Sequence, residues 1–268
     1  MRTAILFLSS SCFITVAALA ASSLDTEALS RAHALQMEYR QGNYEVVKPL
    51  VKTLEDAVAK SADNAKLWET LGYAYMSQQG SMYAGPPDIP ALLAVGERAR
   101  DAFARSLALD ANRPLVRASH GMSQMVVSQL KGDAPGMMAG VEEMNAAVRQ
   151  DPKYIGVRLT RAFTIIHLPP EMRDTNAVTE DLRFILDTAP GGRPEDVVHV
   201  LLGDVYAEVG NLKAARAEYE QVTGASAFAA EQAKLRLKGG AIPPESITLV
   251  RMGLGTRCAM CHAPGTDN

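Results

Sequence analysis

Trp68-Glu69-Thr70-Leu71-Gly72-Tyr73-Ala74-Tyr75 is the stretch that decides the fold. Trp68 and Leu71 stand three residues apart and Leu71 and Tyr75 four, so on a helix all three share one face. Gly72 lies beside them and carries no side chain, which lets a neighbouring helix approach closely. The spacing therefore predicts a helix packed tightly against a second one, and Ala99 and Phe103, again four apart, supply the answering face. The same pattern returns at Leu202-Gly203-Asp204-Val205-Tyr206 with Gly210 after it, answered by Ala215 and Tyr219.

The W-x2-L-G-x2-Y opening at Trp68 resembles that of a tetratricopeptide repeat, and the Leu202 segment is similar to it. Ser106-Leu107-Ala108-Leu109-Asp110 resembles the common close of such a repeat. The resemblance implies an all-α protein: a right-handed superhelical array of antiparallel helix hairpins, a TPR-like solenoid, followed by a short irregular C-terminal tail. It also implies a concave face, lined by the first helix of each hairpin, that binds a protein partner.

Weaker copies of the pattern fill the rest of the chain. Leu35 to Gly42 with Tyr44 to Ala59 reads as one hairpin. Pro114 to Leu130 with Pro135 to Val148, closed by Asp151-Pro152, reads as another. A further pair runs from Tyr154 to Ile166 and from Asn176 to Ile185, with Pro190 as its stop. A capping helix is expected from Ala227 to Leu237, which gives four to six hairpins in an array over residues 26–238. Two places interrupt it. Gln78 to Pro90 contains Gly80, Gly85, Pro86, Pro87 and Pro90 and reads as a long loop inside the Trp68 unit, either a surface insertion or a partner contact. His167-Leu168-Pro169-Pro170 reads as a similar break.

Composition agrees with helices. Of 268 residues, 47% are hydrophobic and only 6% aromatic, with few β-branched runs. A net charge of -3 and a pI near 6.0 leave no broad basic field, so nucleic acid is not an expected partner.

The N-terminus predicts export. Met1-Arg2 is a short positive start, Ala4 to Ala18 is apolar apart from small hydroxylated residues, and Ala18-Leu19-Ala20 is an A-x-A cleavage site, so residues 1–20 read as a removable signal peptide. Cys12 would leave with it. An uncleaved anchor and lipidation of Cys12 are the alternatives. The reading places the mature protein in the periplasm, without a stable membrane span after signal removal.

The C-terminal segment, 239–268, carries the chemistry. Gly239-Gly240-Ala241-Ile242-Pro243-Pro244 is a linker, and Cys258-Ala259-Met260-Cys261-His262 is the C-x-x-C-H pattern of c-type haem attachment. Two thiols at this spacing can add to the two vinyl groups of one haem, and the next residue, His262, is placed to give the iron an axial imidazole. The resemblance to c-type cytochromes covers about ten residues and implies one covalent haem c held by Cys258, Cys261 and His262. A cytochrome c fold continues well past this motif to a Met ligand, and this sequence does not follow that pattern. Met252, Met260, His33, His120, His167 and His199 are the candidates for a second axial ligand, each with packing or surface exposure as its ordinary role. A disulfide between Cys258 and Cys261, half of a zinc site, and a chance match remain as rival readings.

The two halves of this reading allow two functions. In one, the array docks to a partner and the tail presents haem for electron transfer or haem-linked assembly. In the other, the protein is a periplasmic TPR scaffold or assembly factor, for cytochrome maturation or an envelope complex, with a Cys258–Cys261 disulfide. An enzymatic role has little support: there is no G-x-S-x-G, no H-E-x-x-H and no phosphate-cradling glycine loop. The adjacent carboxylates Glu142-Glu143 and Glu55-Asp56 fall at i and i+1, where side chains on a helix diverge.

Overall fold

A computed structural model describes residues 10–40, 43–82, 88–188 and 191–239. Cys258, Cys261, His262, Met252, Met260, Pro190 and the start of the expected signal segment lie outside those residues. Within them every regular element is helical.

Five antiparallel hairpins succeed one another. They are α1 (Ser10–Arg40) with α2 (Val47–Val58), α3 (Ala65–Met82) with α4 (Ile89–Leu109), and α5 (Pro114–Lys131) with α6 (Ala134–Gln150). The last two are α7 (Ile155–Ile165) with α8 (Thr175–Thr188), and α9 (Gly192–Glu208) with α10 (Leu212–Glu220). A single helix, α11 (Ala227–Leu237), closes the row where a capping helix is expected. Each helix packs on the next in sequence, and first helices also meet across hairpins, α1 on α3 and α5 on α7. This is a helical solenoid of short sequence separations. No described helix is long and apolar enough to cross a membrane.

Helix starts are fixed locally. Asp88, Asp133, Asn211 and Ser226 each accept a hydrogen bond from the backbone N–H three residues on, which satisfies a donor that the first turn would otherwise leave unpaired. Pro90, Pro114 and Pro135 occupy the first turn, where a missing N–H is harmless.

The glycine reading is explained by contact. A Cβ on Gly72 would lie 2.5 Å from Phe103 Cε1, and one on Gly203 would run into the Tyr219 ring. The aromatic ring of each second helix lies against bare backbone. In the third hairpin the device is stronger and carries no aromatic marker in the sequence: Gly121 and Gly140 face each other so closely that a Cβ on Gly121 would sit 2.6 Å from the carbonyl oxygen of Gly140.

The structure differs from the sequence reading in three places. The first hairpin begins earlier than Leu35, because Ala28, Leu29 and Ala32 of α1 already join the N-terminal core. The loop expected from Gln78 is shorter, since α3 runs to Met82 despite Gly80. Gln79 Nε2 donates to Leu92 O at 3.0 Å, which holds that last turn against α4, and Ser81 Oγ donates to Gln78 O at 2.7 Å within the turn itself. The break at His167 is no surface insertion: Leu168 is fully buried, and a 3-10 turn at Pro170–Met172 leads into α8.

The apolar interior divides between α4 and α5. One cluster gathers Leu50, Leu54, Leu67, Leu71, Tyr75 and Ala99, and the larger one runs from Ala118 through Met144, Phe163, Leu182 and Leu201 to Ala233. Polar contacts cross the seam: Arg113 Nη1 donates to Glu69 at 2.5 Å, Tyr73 and Ser119 share a hydrogen bond of 3.2 Å, and Lys131 meets Glu97 at 2.6 Å.

Candidate functional site

The first helices carry a row of half-buried apolar side chains at the margin of the core. Tyr73 and Met76 on α3 are half-buried, as are Leu115, Met122 and Val126 on α5. Leu115, Met122 and Val126 recur at i, i+7 and i+11, which places them along one side of α5. Methionine and tyrosine side chains in such a row present adaptable apolar area with little charge. The row stops at α7. Every residue from Gly156 to Ile165 is buried, so α7 offers no exposed side chain there.

What α7 carries instead is an internal ionic lock. Asp181 of α8 is fully buried and accepts from Arg158 Nη1 at 2.7 Å, Arg161 Nε at 2.7 Å and Arg161 Nη2 at 2.8 Å. Arg161 also donates to Asn145 of α6 at 3.0 Å, and Arg158 to the carbonyl of Pro152 at 2.7 Å, with its guanidinium 4.4 Å over the Phe184 ring. Burial pushes the Asp181 carboxyl up from its ordinary range, and the two guanidiniums pull against that shift. Both carboxylate oxygens and both guanidiniums are engaged by protein groups, the arrangement of a structural lock.

Three further polar devices are structural in the same sense. Asp204 receives Arg236 at 2.5 and 2.7 Å and the Tyr219 hydroxyl at 2.8 Å, tying α11 to α9 and α10; burial, with Asp204 beside it, pushes the Tyr219 phenol well up. Tyr75 donates to Glu55 at 2.6 Å, and burial together with that carboxylate raises it to about 12. Asp196 is fully buried and accepts from the backbone of Thr223, Gly224 and Ser226 and from Thr223 Oγ1, at 2.7 to 3.1 Å. Burial pushes Asp196 up, but those bonds together outweigh it and hold the carboxyl below its usual range.

The adjacent carboxylates diverge as their spacing requires. Glu142 reaches Arg149 at 2.7 Å while Glu143 meets His120 across the hairpin, and Asp56 meets Lys52 at 3.0 Å while Glu55 receives Tyr75.

Of the candidate second ligands, the structure describes the four histidines. His33 is exposed on α1. His120 Nδ1 meets Glu143 at 2.5 Å, and His167 Nδ1 meets the Phe163 carbonyl at 2.6 Å. His199 has a carboxylate at each nitrogen, Glu218 at 2.8 Å and Glu195 at 3.7 Å. An imidazole whose Nδ1–H goes to a carboxylate keeps Nε2 as its metal-binding nitrogen, which His120 satisfies and His199 does not. His120 and His199 also share a place in their hairpins: each reaches from a first helix to a glutamate on the second. The sequence showed the histidines but not these partners, which lie 23 and 19 residues away. Among the described residues no three His, Cys, Asp or Glu side chains are grouped to hold a metal ion.

No protein-family model matches the chain. No curated protein does either. Among solved structures, the crystal structure of a thermophilic TPR protein from Thermus thermophilus is similar, with a TM-score of 0.53 and 13% sequence identity, over 80% of this chain and 97% of that one. Likeness at that identity speaks for the fold alone, and together with the succession of hairpins it makes this chain a tetratricopeptide-like helical solenoid.

Proposed function

We propose that this protein is an exported, protein-binding scaffold that carries one covalent c-type haem on its C-terminal segment, for electron transfer or haem-linked assembly with a partner. The observation that carries the haem reading is the sequence Cys258-Ala259-Met260-Cys261-His262. In it Cys258 and Cys261 provide thioether bonds and His262 the axial imidazole. A haem held there supplies a one-electron couple. The partner reading rests on the solenoid and on the half-buried apolar row of α3 and α5, which suits the apolar side of a polypeptide better than a charged terminus. The N-terminal sequence supports export to the periplasm, where such haem attachment takes place.

The same cysteine pair supports a second reading, a periplasmic assembly factor whose Cys258 and Cys261 form a disulfide. Expression of the full chain in a host that matures c-type cytochromes separates the two. The haem reading expects a Soret band and a mass increment of one haem, both lost in Cys258→Ser and Cys261→Ser with far-UV helicity unchanged. A colourless chain of bare mass whose two cysteines titrate only after reduction would replace it with the disulfide reading.

A further inference from the structure

Antiparallel hairpins set the end of each first helix beside the start of its second helix, so the hairpin tips all lie along one edge of the array. Contacts tie this edge together: the Tyr39 hydroxyl donates to Ser77 O at 3.2 Å, Lys131 meets Glu97 at 2.6 Å, and Arg173 meets Glu208 at 2.7 Å. Exposed apolar side chains gather there. Among the described residues eight large hydrophobic side chains are exposed, and five of them stand at the tips: Tyr44, Ile89, Met138, Val209 and Leu212, from 43% exposed at Ile89 to 69% at Leu212. The opposite edge, at residues 59–64, 110–113, 151–154 and 221–226, carries none of the eight.

The tips hold these side chains out on fixed turns. Gly210 takes a left-handed φ of +79° and Asn211 caps α10 by accepting from Ala214 N–H, which sets the turn between Val209 and Leu212. Asp88 and Asp133 cap α4 and α6 in the same way, close in sequence to Ile89 and Met138. Charge along this edge is in excess on one side. Glu45, Asp88, Asp133, Glu171 and Asp174 are exposed with no cation in salt-bridge reach among the described residues, Lys131 and Arg173 are taken up by Glu97 and Glu208, and Lys48 and Lys213 remain. An anionic membrane surface would repel such an edge.

We propose that the tip edge is a docking surface for a cationic amphipathic helix of a partner protein, with the helix's apolar stripe on the tip side chains and its basic residues on the tip carboxylates. The spacing suits a helix. First helices that pack directly, such as α1 on α3 and α5 on α7, lie about 8–10 Å apart. A helix advances about 10.5 Å in seven residues, so apolar side chains repeated every seven meet successive tips. The carboxylates steer a cationic partner to the edge and set its register there. The proposal rests on the protein-binding reading and not on the haem, and it uses a different face from the row on α3 and α5.

Fluorescence anisotropy on the full chain tests it, with a labelled peptide of three heptads that carries leucine at the first and fourth position of each and lysine at most others. The expected result is binding that weakens about tenfold or more when Ile89→Ser, Met138→Ser and Leu212→Ser are combined. Binding should also weaken in Asp88→Asn with Asp133→Asn, which removes charge and keeps both helix caps, and stay unchanged in Leu235→Ser on α11. All of these side chains are exposed, so far-UV helicity should not change. Binding indifferent to the tip variants would overturn the proposal and leave the row on α3 and α5 as the partner's seat. No binding to the parent chain would also overturn it, while the scaffold reading, which sets no charge on the partner, would stand. Equal binding of a scrambled peptide of the same composition would reduce the effect to charge alone and overturn it too. So would attachment of the parent chain to phosphatidylcholine vesicles, or self-association, that the triple variant abolishes, which would give the edge to a lipid surface or to a second copy.

Discussion

Hairpins α3/α4 and α7/α8 solve one packing problem by opposite means. In the first, Gly72 removes its side chain so that the Phe103 ring can lie on the backbone, and Tyr73 packs edge-on against the same ring with centroids 5.0 Å apart. In the second, two arginines and an aspartate are buried between the helices, and the neighbouring hairpin is drawn in through Asn145. The apolar joint needs only shape. The ionic joint needs every partner present, because a charge taken out of water is tolerated only while it is paired. A repeat array can thus keep its architecture while the interface chemistry changes from one hairpin to the next.

Removing the carboxylate should have the largest effect. Asp181→Ala leaves Arg161 buried without its counter-charge and Arg158 with only the exposed Glu180, 2.9 Å away, and a loss of about 3–5 kcal/mol in urea unfolding is expected. The triple variant Asp181→Leu with Arg158→Met and Arg161→Met should recover most of it, since an apolar set of similar volume removes the desolvation cost. A single-variant loss under about 1 kcal/mol would show that the joint is not the lock its geometry implies.

Filling the glycine contact should cost less. Gly72→Val pushes a side chain into the Phe103 ring, and overpacking of this kind costs about 1–3 kcal/mol. Phe103→Leu in the same chain should restore part of the stability, and simple additivity of the two changes would mean that they do not meet.

The smallest expected effect is confined to acid. Asp196 has a folded pKa held below its ordinary value, so its contribution is present above the unfolded value of about 3.9 and is lost as pH falls through the folded one. Thermal unfolding of the parent chain should therefore lose more as pH falls from about 5 to about 3 than that of Asp196→Asn, with α11 exchanging first. Equal losses in the two chains would remove Asp196 from the acid response.

Much of the first hairpin type was legible because its signal is local. Trp68, Leu71, Gly72 and Tyr75 fall within about two turns, and their partner Phe103 keeps the spacing of a second helix. Gly203 and Tyr219 were legible for the same reason. The ionic joint was not: Arg158 and Arg161 look like any exposed helical arginines until Asp181 is known to face them. Gly121 and Gly140 escaped notice because nothing aromatic marks the contact. The candidate haem site stands apart, since Cys258, Cys261 and His262 were read from spacing alone and lie outside the described residues.

The sequence by itself determined helix periodicity, the prolines that open α5 and α6, the glycines at two close contacts and the C-x-x-C-H spacing, because each is written within a few neighbouring residues. Only the tertiary structure decided which charges are buried together and that α7 is buried from Gly156 to Ile165. Those depend on residues about 20 or more apart being brought within about 3 Å of each other, where desolvation and hydrogen bonding turn ordinary surface residue types into interior ones.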